Sequence, residues 1–190
     1  MNVGLTGGIG CGKSTVVQFF AEAGWSTLET DKITHDLLAC DKGVHAALRE
    51  RWGKSIFRSD ETVDRKLIAK RVFNDEAELV WLETLLHPLI RKVWKTALAE
   101  APELNWLVEI PLLFEKKLEI EFDFVVCVES PSEIVKSRMS RRGYSEGQLR
   151  QRQLRQMSLE DKVHRSDYII SNAGNIDFLK QQTLRLIRQL

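Results

Sequence analysis

The sequence predicts an α/β fold in three layers, with a parallel five-stranded sheet between two layers of helices. Two observations support this prediction. Short apolar runs of strand length recur along the chain, and longer amphipathic segments separate them. Strands that alternate with helices form parallel sheets covered on both faces. The strand candidates are Val3–Thr6, Trp25–Glu29, Asn105–Ile110, Phe122–Val128 and Tyr168–Ser171.

Several of the intervening helices have recognisable start signals. A Ser-Pro-Ser-Glu run from Ser130 offers an N-cap, a first-turn proline and a capping-box acid, and Ser145 and Asn175 offer further N-caps. Pro88 interrupts a helical run over residues 75–99. We expect two helices or one kinked helix there, with Pro88 near the start of the second, because proline cannot donate the intrahelical hydrogen bond.

Composition limits the classes of partner. The net charge of +1 gives no overall field for nucleic acid or an anionic membrane, and no apolar stretch approaches the length of a membrane span. The three cysteines are odd in number and widely spaced, without metal-ligand grouping, which favours a reducing, cytoplasmic compartment. Formation of a homo-oligomer is compatible with this composition.

A phosphate-binding motif follows the first strand candidate. Residues 7–15 read GGIGCGKST and match G-x-x-x-x-G-K-[ST], between an apolar strand and an amphipathic helix. Backbone N–H groups and the helix N-terminus would surround ATP phosphates, Lys13 would reach the β- and γ-phosphates, and Ser14 would bind Mg²⁺. The fold prediction becomes that of a P-loop NTPase. A glycine-rich turn without a ligand is the alternative.

The residues of this loop expected at ATP are Gly8, Gly10, Cys11, Gly12, Lys13, Ser14 and Thr15. The Cys11 thiol is expected to face the exterior of the loop and is given no chemistry.

The loop alone does not distinguish a kinase from a GTPase switch or a motor. The chain has no Asn-Lys-x-Asp and no Asp-x-x-Gly switch element, and it is small for a motor, so a small-molecule kinase is favoured. A kinase needs a carboxylate that receives the acceptor proton at the carboxyl ends of the strands. Asp31 follows the second strand candidate there, and an N-cap for the next helix is the alternative.

Blocks along the whole chain resemble one family. They are the loop block 4–15, Glu29-Thr30-Asp31, Asp64-Arg65, His87-Pro88-Leu89-Ile90, Pro111-Leu112-Leu113-Phe114-Glu115, Arg155-Gln156 with Lys162, and 166–172. This pattern is similar to that of the dephospho-CoA kinase family.

The resemblance implies transfer of the γ-phosphoryl group of ATP to the 3′-hydroxyl of the ribose in dephospho-CoA, with Mg²⁺. Asp31 matches the second acid of the family's Asp-x-Asp and would act as the base. The sequence departs from the family at Glu29, where the first acid is Asp, and at Cys11, where serine is usual.

Further site residues each keep an alternative. Arg65 and His87 would shape the acceptor pocket, although a His before Pro is often a helix-start residue. Glu109, at a strand terminus, would assist Mg²⁺ through water or be a buried hydrogen-bonding acid. The run Pro111-Leu112-Leu113-Phe114 would form a loop against the acceptor, or belong to the core.

A basic block lies at residues 136–165, with nine Lys/Arg and three acids. Arg138, Arg141 and Arg142 precede Gly143, an arrangement suited to a lid whose arginines hold phosphate and whose closure excludes water. A solvated basic face is the alternative, and the register against the family's arginine pair is ambiguous. Asn172, after the last strand, is a candidate for the adenine edge.

The chain is therefore predicted to be a single P-loop kinase unit with three segments. The competing functions are another small-metabolite or nucleotide kinase, and a nucleotide-regulated binding module. The segments are a core (1–30, 104–135 and 166–190), a helical acceptor insert (31–103) and a lid (136–165).

Overall fold

A computed structural model describes residues 1–190. The chain forms two compact units, one of Met1–Glu29 with Ala101–Leu190 and one of Thr30–Glu100. The strands are β1 (Asn2–Gly7), β2 (Ser26–Glu29), β3 (Trp106–Glu109), β4 (Phe124–Glu129) and β5 (Tyr168–Ser171). The α-helices are α1 (Lys13–Glu22), α2 (Thr30–Cys40), α3 (Lys42–Trp52), α4 (Arg65–Asn74), α5 (Glu76–Glu100), α6 (Ser132–Arg141), α7 (Glu146–Leu154), α8 (Leu159–Arg165) and α9 (Ile176–Ile187).

The first unit is built on one parallel sheet with the strand order β2-β3-β1-β4-β5. The α/β prediction with five parallel strands is confirmed. The central strands read as continuous apolar runs because helices cover both of their faces. Val3, Leu5, Leu107, Val126 and Val128 are accordingly fully buried in one core.

The carboxyl ends of the strands meet at one edge of this sheet. Gly7 ends β1 opposite Val128 of β4, and Glu29 of β2 lies in register with Glu109 of β3. Parallel strands place residues in register on the same face. Two glutamates therefore end neighbouring strands at the edge where the phosphate-binding loop leaves β1.

The second unit is helical and contains α2 to α5. Asp41 and Asp64 cap α3 and α4, since their carboxylates accept hydrogen bonds from first-turn N–H groups. Glu78 of α5 accepts hydrogen bonds from the Trp52 indole and the Arg51 guanidinium of α3. These contacts fix α3 against α5.

Two local expectations are corrected and two are confirmed. Pro88 lies inside the single 25-residue helix α5, so the two-helix alternative is wrong. The Ser130 side chain does not cap α6, whose N-cap is Pro131 without a side-chain bond. Ser145 forms a complete capping box with Gln148, and Asn175 caps α9.

No helix of the protein combines the length and the apolar character that crossing a membrane requires.

Gly7 should be the glycine least tolerant of substitution. Its φ is +143°, and an added Cβ would lie 2.2 Å from the carbonyl oxygen of Val128. Gly24 also has a positive φ, +89°, but a Cβ there meets nothing within 4 Å. Gly7→Ala should destabilise the protein by about 3 kcal/mol or more, against about 1 kcal/mol for Gly24→Ala. Thermal unfolding of the two variants in parallel measures this difference, and equal shifts would show that the close approach to β4 costs nothing.

Candidate active site

The phosphate-binding loop connects β1 to the N-terminus of α1. Gly12 is the N-cap of α1, with φ 96°, and no side chain caps the first turn. The first-turn N–H groups of a helix without a side-chain cap are available to an anion, and the helix dipole adds partial positive charge there. The loop therefore has the local structure that a phosphate site requires.

Lys13 is held at this loop by backbone and carboxylate oxygens. Its Nζ donates to the carbonyl of Gly8 at 3.1 Å and to that of Gly7 at 3.4 Å. The same atom lies 3.9 Å from Oε1 of Glu109, and both side chains are nearly buried. Glu109 thus compensates the charge of Lys13 at the carboxyl edge of the sheet.

Asn172 holds the loop through a hydrogen bond to its backbone. Its side chain is buried, and Nδ2 donates to the carbonyl oxygen of Cys11 at 2.8 Å. A Cβ on Gly12 would lie 2.3 Å from that Nδ2, so only glycine leaves room for this contact. The amide expected at the adenine edge is bound instead to the backbone of the phosphate-binding loop.

Arg138 and Ser130 complete this hydrogen-bond network. The Arg138 guanidinium donates to Oδ1 of Asn172 at 3.0 Å and to Oγ of Ser130 at 3.0 Å. Ser130 Oγ in turn donates to the carbonyl oxygen of Asn172 at 2.6 Å. Arg138, predicted as a lid arginine, therefore orients Asn172. The helix-start pattern around Ser130 gave no signal of this bond.

Cys11 corrects another expectation. Its side chain is buried in the core of the sheet unit, with 1% of its surface exposed, and does not face the exterior of the loop. Burial raises the pKa of the Cys11 thiol, against a smaller opposing effect of the Lys13 charge. The residue therefore stays neutral at physiological pH, and the loop carries no thiolate that would repel phosphate.

Three of the predicted acceptor-side residues lie in the helical unit. Asp31 is exposed and is the second residue of α2, inside the first turn, so it is not the residue before the helix that the capping alternative requires. Arg65 is the exposed first residue of α4, and His87 lies in the middle of α5 rather than at a helix start.

The segment after β3 forms a turn rather than a helix or strand. Leu113 and Phe114 are buried, so the core alternative applies to these two residues. Pro111 and Leu112 are only half-buried. This turn also binds Lys162 of α8, a residue for which no role was expected.

Arg141 and Arg142 differ from Arg138 in their surroundings. Both are exposed at the end of α6, and Arg141 bonds only to the Ser137 hydroxyl of its own helix, at 3.1 Å. Gly143 follows with φ +83° and open space around it. Two exposed cations thus precede a turn that a glycine makes possible.

Comparison with known proteins identifies similar chains. The sequence model of the dephospho-CoA kinase family matches residues 1–177. A dephospho-CoA kinase of Aquifex aeolicus is 35% identical over 189 residues, which cover 99% of this chain and 96% of the relative.

Solved structures agree with the sequence comparison. A crystal structure of a Thermus thermophilus protein superposes with a TM-score of 0.83 at 28% identity, covering 100% of this chain and 97% of that one. Dephospho-CoA kinase from Campylobacter jejuni superposes with a TM-score of 0.73 at 26% identity, covering 99% and 96%.

The network predicts that Asn172→Ala weakens ATP binding. Without the amide, the carbonyl of Cys11 loses its side-chain donor, and the loop loses the hydrogen bond that ties it to Asn172. We expect the Kd for ATP to rise about tenfold, equivalent to ~1.4 kcal/mol. Isothermal titration calorimetry measures the change. Asn74→Ala is the control. The Asn74 amide also donates to a backbone carbonyl, that of Lys70 at 2.9 Å, but within α4 rather than to the phosphate-binding loop. Equal ATP affinity in the two variants would contradict the assignment.

Proposed function

This chain belongs to the dephospho-CoA kinase family, and on that premise we propose that the group it phosphorylates is the ribose 3′-hydroxyl of dephospho-CoA. Phosphorylation of dephospho-CoA with ATP is the activity of the family. The observation that carries the proposal is the match over nearly the whole chain, together with a phosphate-binding loop whose backbone the protein itself holds in place. The products would be CoA and ADP.

We assign ATP binding to the loop and the start of α1. The N–H groups of residues 8–15 would surround the phosphates, and Lys13 would exchange its carbonyl contacts for the β- and γ-phosphates. Thr15, in the same first turn of α1 as Ser14, would be among the residues that contact ATP. Positive charge at the γ-phosphate would stabilise the charge that develops on the group in transfer.

Mg²⁺ fits the oxygen ligands at this edge of the sheet. Ser14 is exposed in the first turn of α1, and Glu109 and Glu29 end neighbouring strands in register. No group of three or more His, Cys, Asp or Glu side chains forms a metal cage of its own. Mg²⁺ commonly binds through few protein oxygens together with substrate phosphates. We propose that Ser14 holds Mg²⁺, with Glu109 acting through water; the ion would supply positive charge to the phosphates.

Asp31 is our candidate for the base. Its exposed carboxylate follows β2 by two residues, which is where open α/β sheets place groups that act on ligands. In the transfer step, the acceptor oxygen forms a bond to the γ-phosphorus while the bond from that phosphorus to the β–γ bridging oxygen breaks. Asp31 would take the hydroxyl proton, and ADP would leave with the bridging oxygen.

Acceptor recognition is assigned to four residues for which the family resemblance implies this role. We propose that Arg65 and His87 contribute polar contacts to dephospho-CoA, and that Pro111 and Leu112 contribute apolar ones. Arg65 is exposed and the other three are at least partly exposed, so each has surface to offer a ligand.

The lid proposal now rests on Arg141 and Arg142. α7, which follows them, buries only Leu149, and Leu154 at its end is 76% exposed. A helix with so little buried apolar surface can move at small cost. We propose that the segment 136–165 closes over ATP, brings these guanidinium groups to the phosphates and excludes water. Arg138 is reassigned to orienting Asn172.

We further propose a cytoplasmic location and small-molecule partners, ATP and dephospho-CoA, rather than nucleic acid or a membrane. The basis is the sequence, in its near-neutral charge and its cysteine spacing.

An acceptor panel tests the proposed function. ADP release is measured with a coupled assay in the presence of ATP and Mg²⁺, with dephospho-CoA, AMP, CMP or shikimate as acceptor. Dephospho-CoA should stimulate ADP release by at least tenfold more than any other compound. Stimulation by another acceptor would support a different small-metabolite kinase, and stimulation by none would support a binding module.

Asp31→Asn should lower kcat by at least ~10² while leaving the KM for ATP nearly unchanged, because the amide cannot accept the hydroxyl proton. Steady-state kinetics with dephospho-CoA measure both constants. Asp36→Asn is the matched control, since Asp36 lies on the same helix and its side chain is 79% exposed. Near-normal turnover of the Asp31 variant would remove this residue from the base role.

Arg141→Ala should lower kcat about tenfold or more with little change in melting temperature, because the guanidinium stabilises transferring charge but packs against nothing in the core. Arg150→Ala is the control, because Arg150 is also an exposed arginine of this segment but lies on α7, away from the end of α6 in the chain. If both variants keep the kinetics of the unmodified protein, the segment is a solvated basic face.

A further inference from the structure

Lys162 is a charged residue in an unusual position. It lies on α8, and its side chain is 1% exposed. Lysine is almost never fully buried unless it is paired, because removing its charge from water is costly. The contacts that compensate this cost show which segments the residue holds together.

Both hydrogen-bond partners of Lys162 belong to the turn after β3. Its Nζ donates to the carbonyl oxygen of Pro111 at 2.6 Å and lies 3.0 Å from Oε1 of Glu115. The Pro111 carbonyl also accepts a hydrogen bond from the hydroxyl of Thr6, at 3.2 Å. Thr6 immediately precedes Gly7, where the phosphate-binding loop begins. One carbonyl oxygen thus links α8, the turn after β3 and the end of β1.

Glu115 extends the contact to the lid segment. Its Oε1 accepts the backbone N–H of Met157 at 2.8 Å, in the turn between α7 and α8. That turn lies within the lid segment, just before the helix that carries Lys162. Thr6, Pro111, Glu115, Met157 and Lys162 therefore form one connected polar cluster, which we call the joint.

The charges around Lys162 extend to the phosphate site. Burial lowers the pKa of the Lys162 ammonium most, Glu115 opposes this effect, and the charge of Lys13 lowers the pKa further. The two ammonium groups therefore repel each other in the same part of the sheet unit.

We propose that Lys162 is a positioning residue that couples the lid to the turn carrying Pro111 and Leu112. The proposal rests on the proposed function, which places the acceptor against that turn. When the lid closes, movement at Met157 would pass through Glu115 and Lys162 to the Pro111 carbonyl. Correct seating of the acceptor and exclusion of water over ATP would then depend on the same cluster.

A double variant tests the joint. Lys162→Met alone would leave the Glu115 carboxylate without its partner, which can prevent folding. The double variant Lys162→Met/Glu115→Leu instead replaces both members of the pair by apolar groups, a change that buried ion pairs commonly tolerate. Lys180→Met/Glu22→Leu is the matched control, because that pair, 3.1 Å apart, is exposed on α9 and α1.

The kinetic readout separates positioning from packing. In the double variant we expect the KM for dephospho-CoA to rise about tenfold and the KM for ATP to change less than about twofold. ATP hydrolysis without transfer should rise relative to phosphotransfer. A folded double variant with unchanged acceptor KM and unchanged hydrolysis would make the ion pair a structural contact only and overturn the proposal.

Amide hydrogen exchange of the ligand-free protein gives a second readout. Exchange in residues 111–117 and 154–158 should accelerate in the double variant and not in the control. If the unmodified protein fails to phosphorylate dephospho-CoA, the proposed function fails, while accelerated exchange in both segments still supports the joint. Exchange that accelerates in only one segment would contradict the coupling.

Discussion

The phosphate-binding loop is rich in glycine, so it has few side chains that could hold its backbone in one conformation. The site depends on hydrogen bonds that other parts of the chain make to this backbone. Glycines are required at the loop, because a Cβ on Gly12 would collide with Asn172. The same lack of side chains leaves the loop conformationally free, which costs entropy on ordering. The support comes from outside, through the bond from Asn172 to the Cys11 carbonyl and through Arg138, which orients Asn172.

Charge is the second organising feature of this edge of the sheet. The chain has a net charge of +1, and two of its buried or nearly buried cations lie beside carboxylates. Lys13 is near Glu109, and Lys162 is paired with Glu115. Both acids lie at or after the carboxyl end of β3, where they offset the repulsion between the two cations close to the loop. An anionic substrate would then meet ammonium groups whose positions are already fixed by their carboxylate partners.

Local sequence patterns predicted the strands, the phosphate-binding loop and two of the helix caps, because these features depend on neighbours within a few residues. Long-range bonds were not predictable in this way. Ser130 has a good capping pattern, but its hydroxyl donates to the carbonyl of Asn172, 42 residues away, and does not cap α6. Pro88 carries a helix-breaking signal, yet Leu86 and Ile90 are buried on α5, and packing of this kind overrides a local preference. The burial of Cys11 and of Lys162 likewise follows from packing that only the fold brings together.

The central claim is that this loop directs the γ-phosphoryl group of ATP to one hydroxyl of dephospho-CoA. The most direct measurement is ³¹P and ¹H NMR of the product formed from ATP and dephospho-CoA, which locates the new phosphomonoester on the ribose. Besides the resonances of ADP, we expect one new phosphomonoester resonance, coupled to the proton on the 3′ carbon. A product phosphorylated on the 2′-hydroxyl, or inorganic phosphate in place of a phosphomonoester, would contradict the claim.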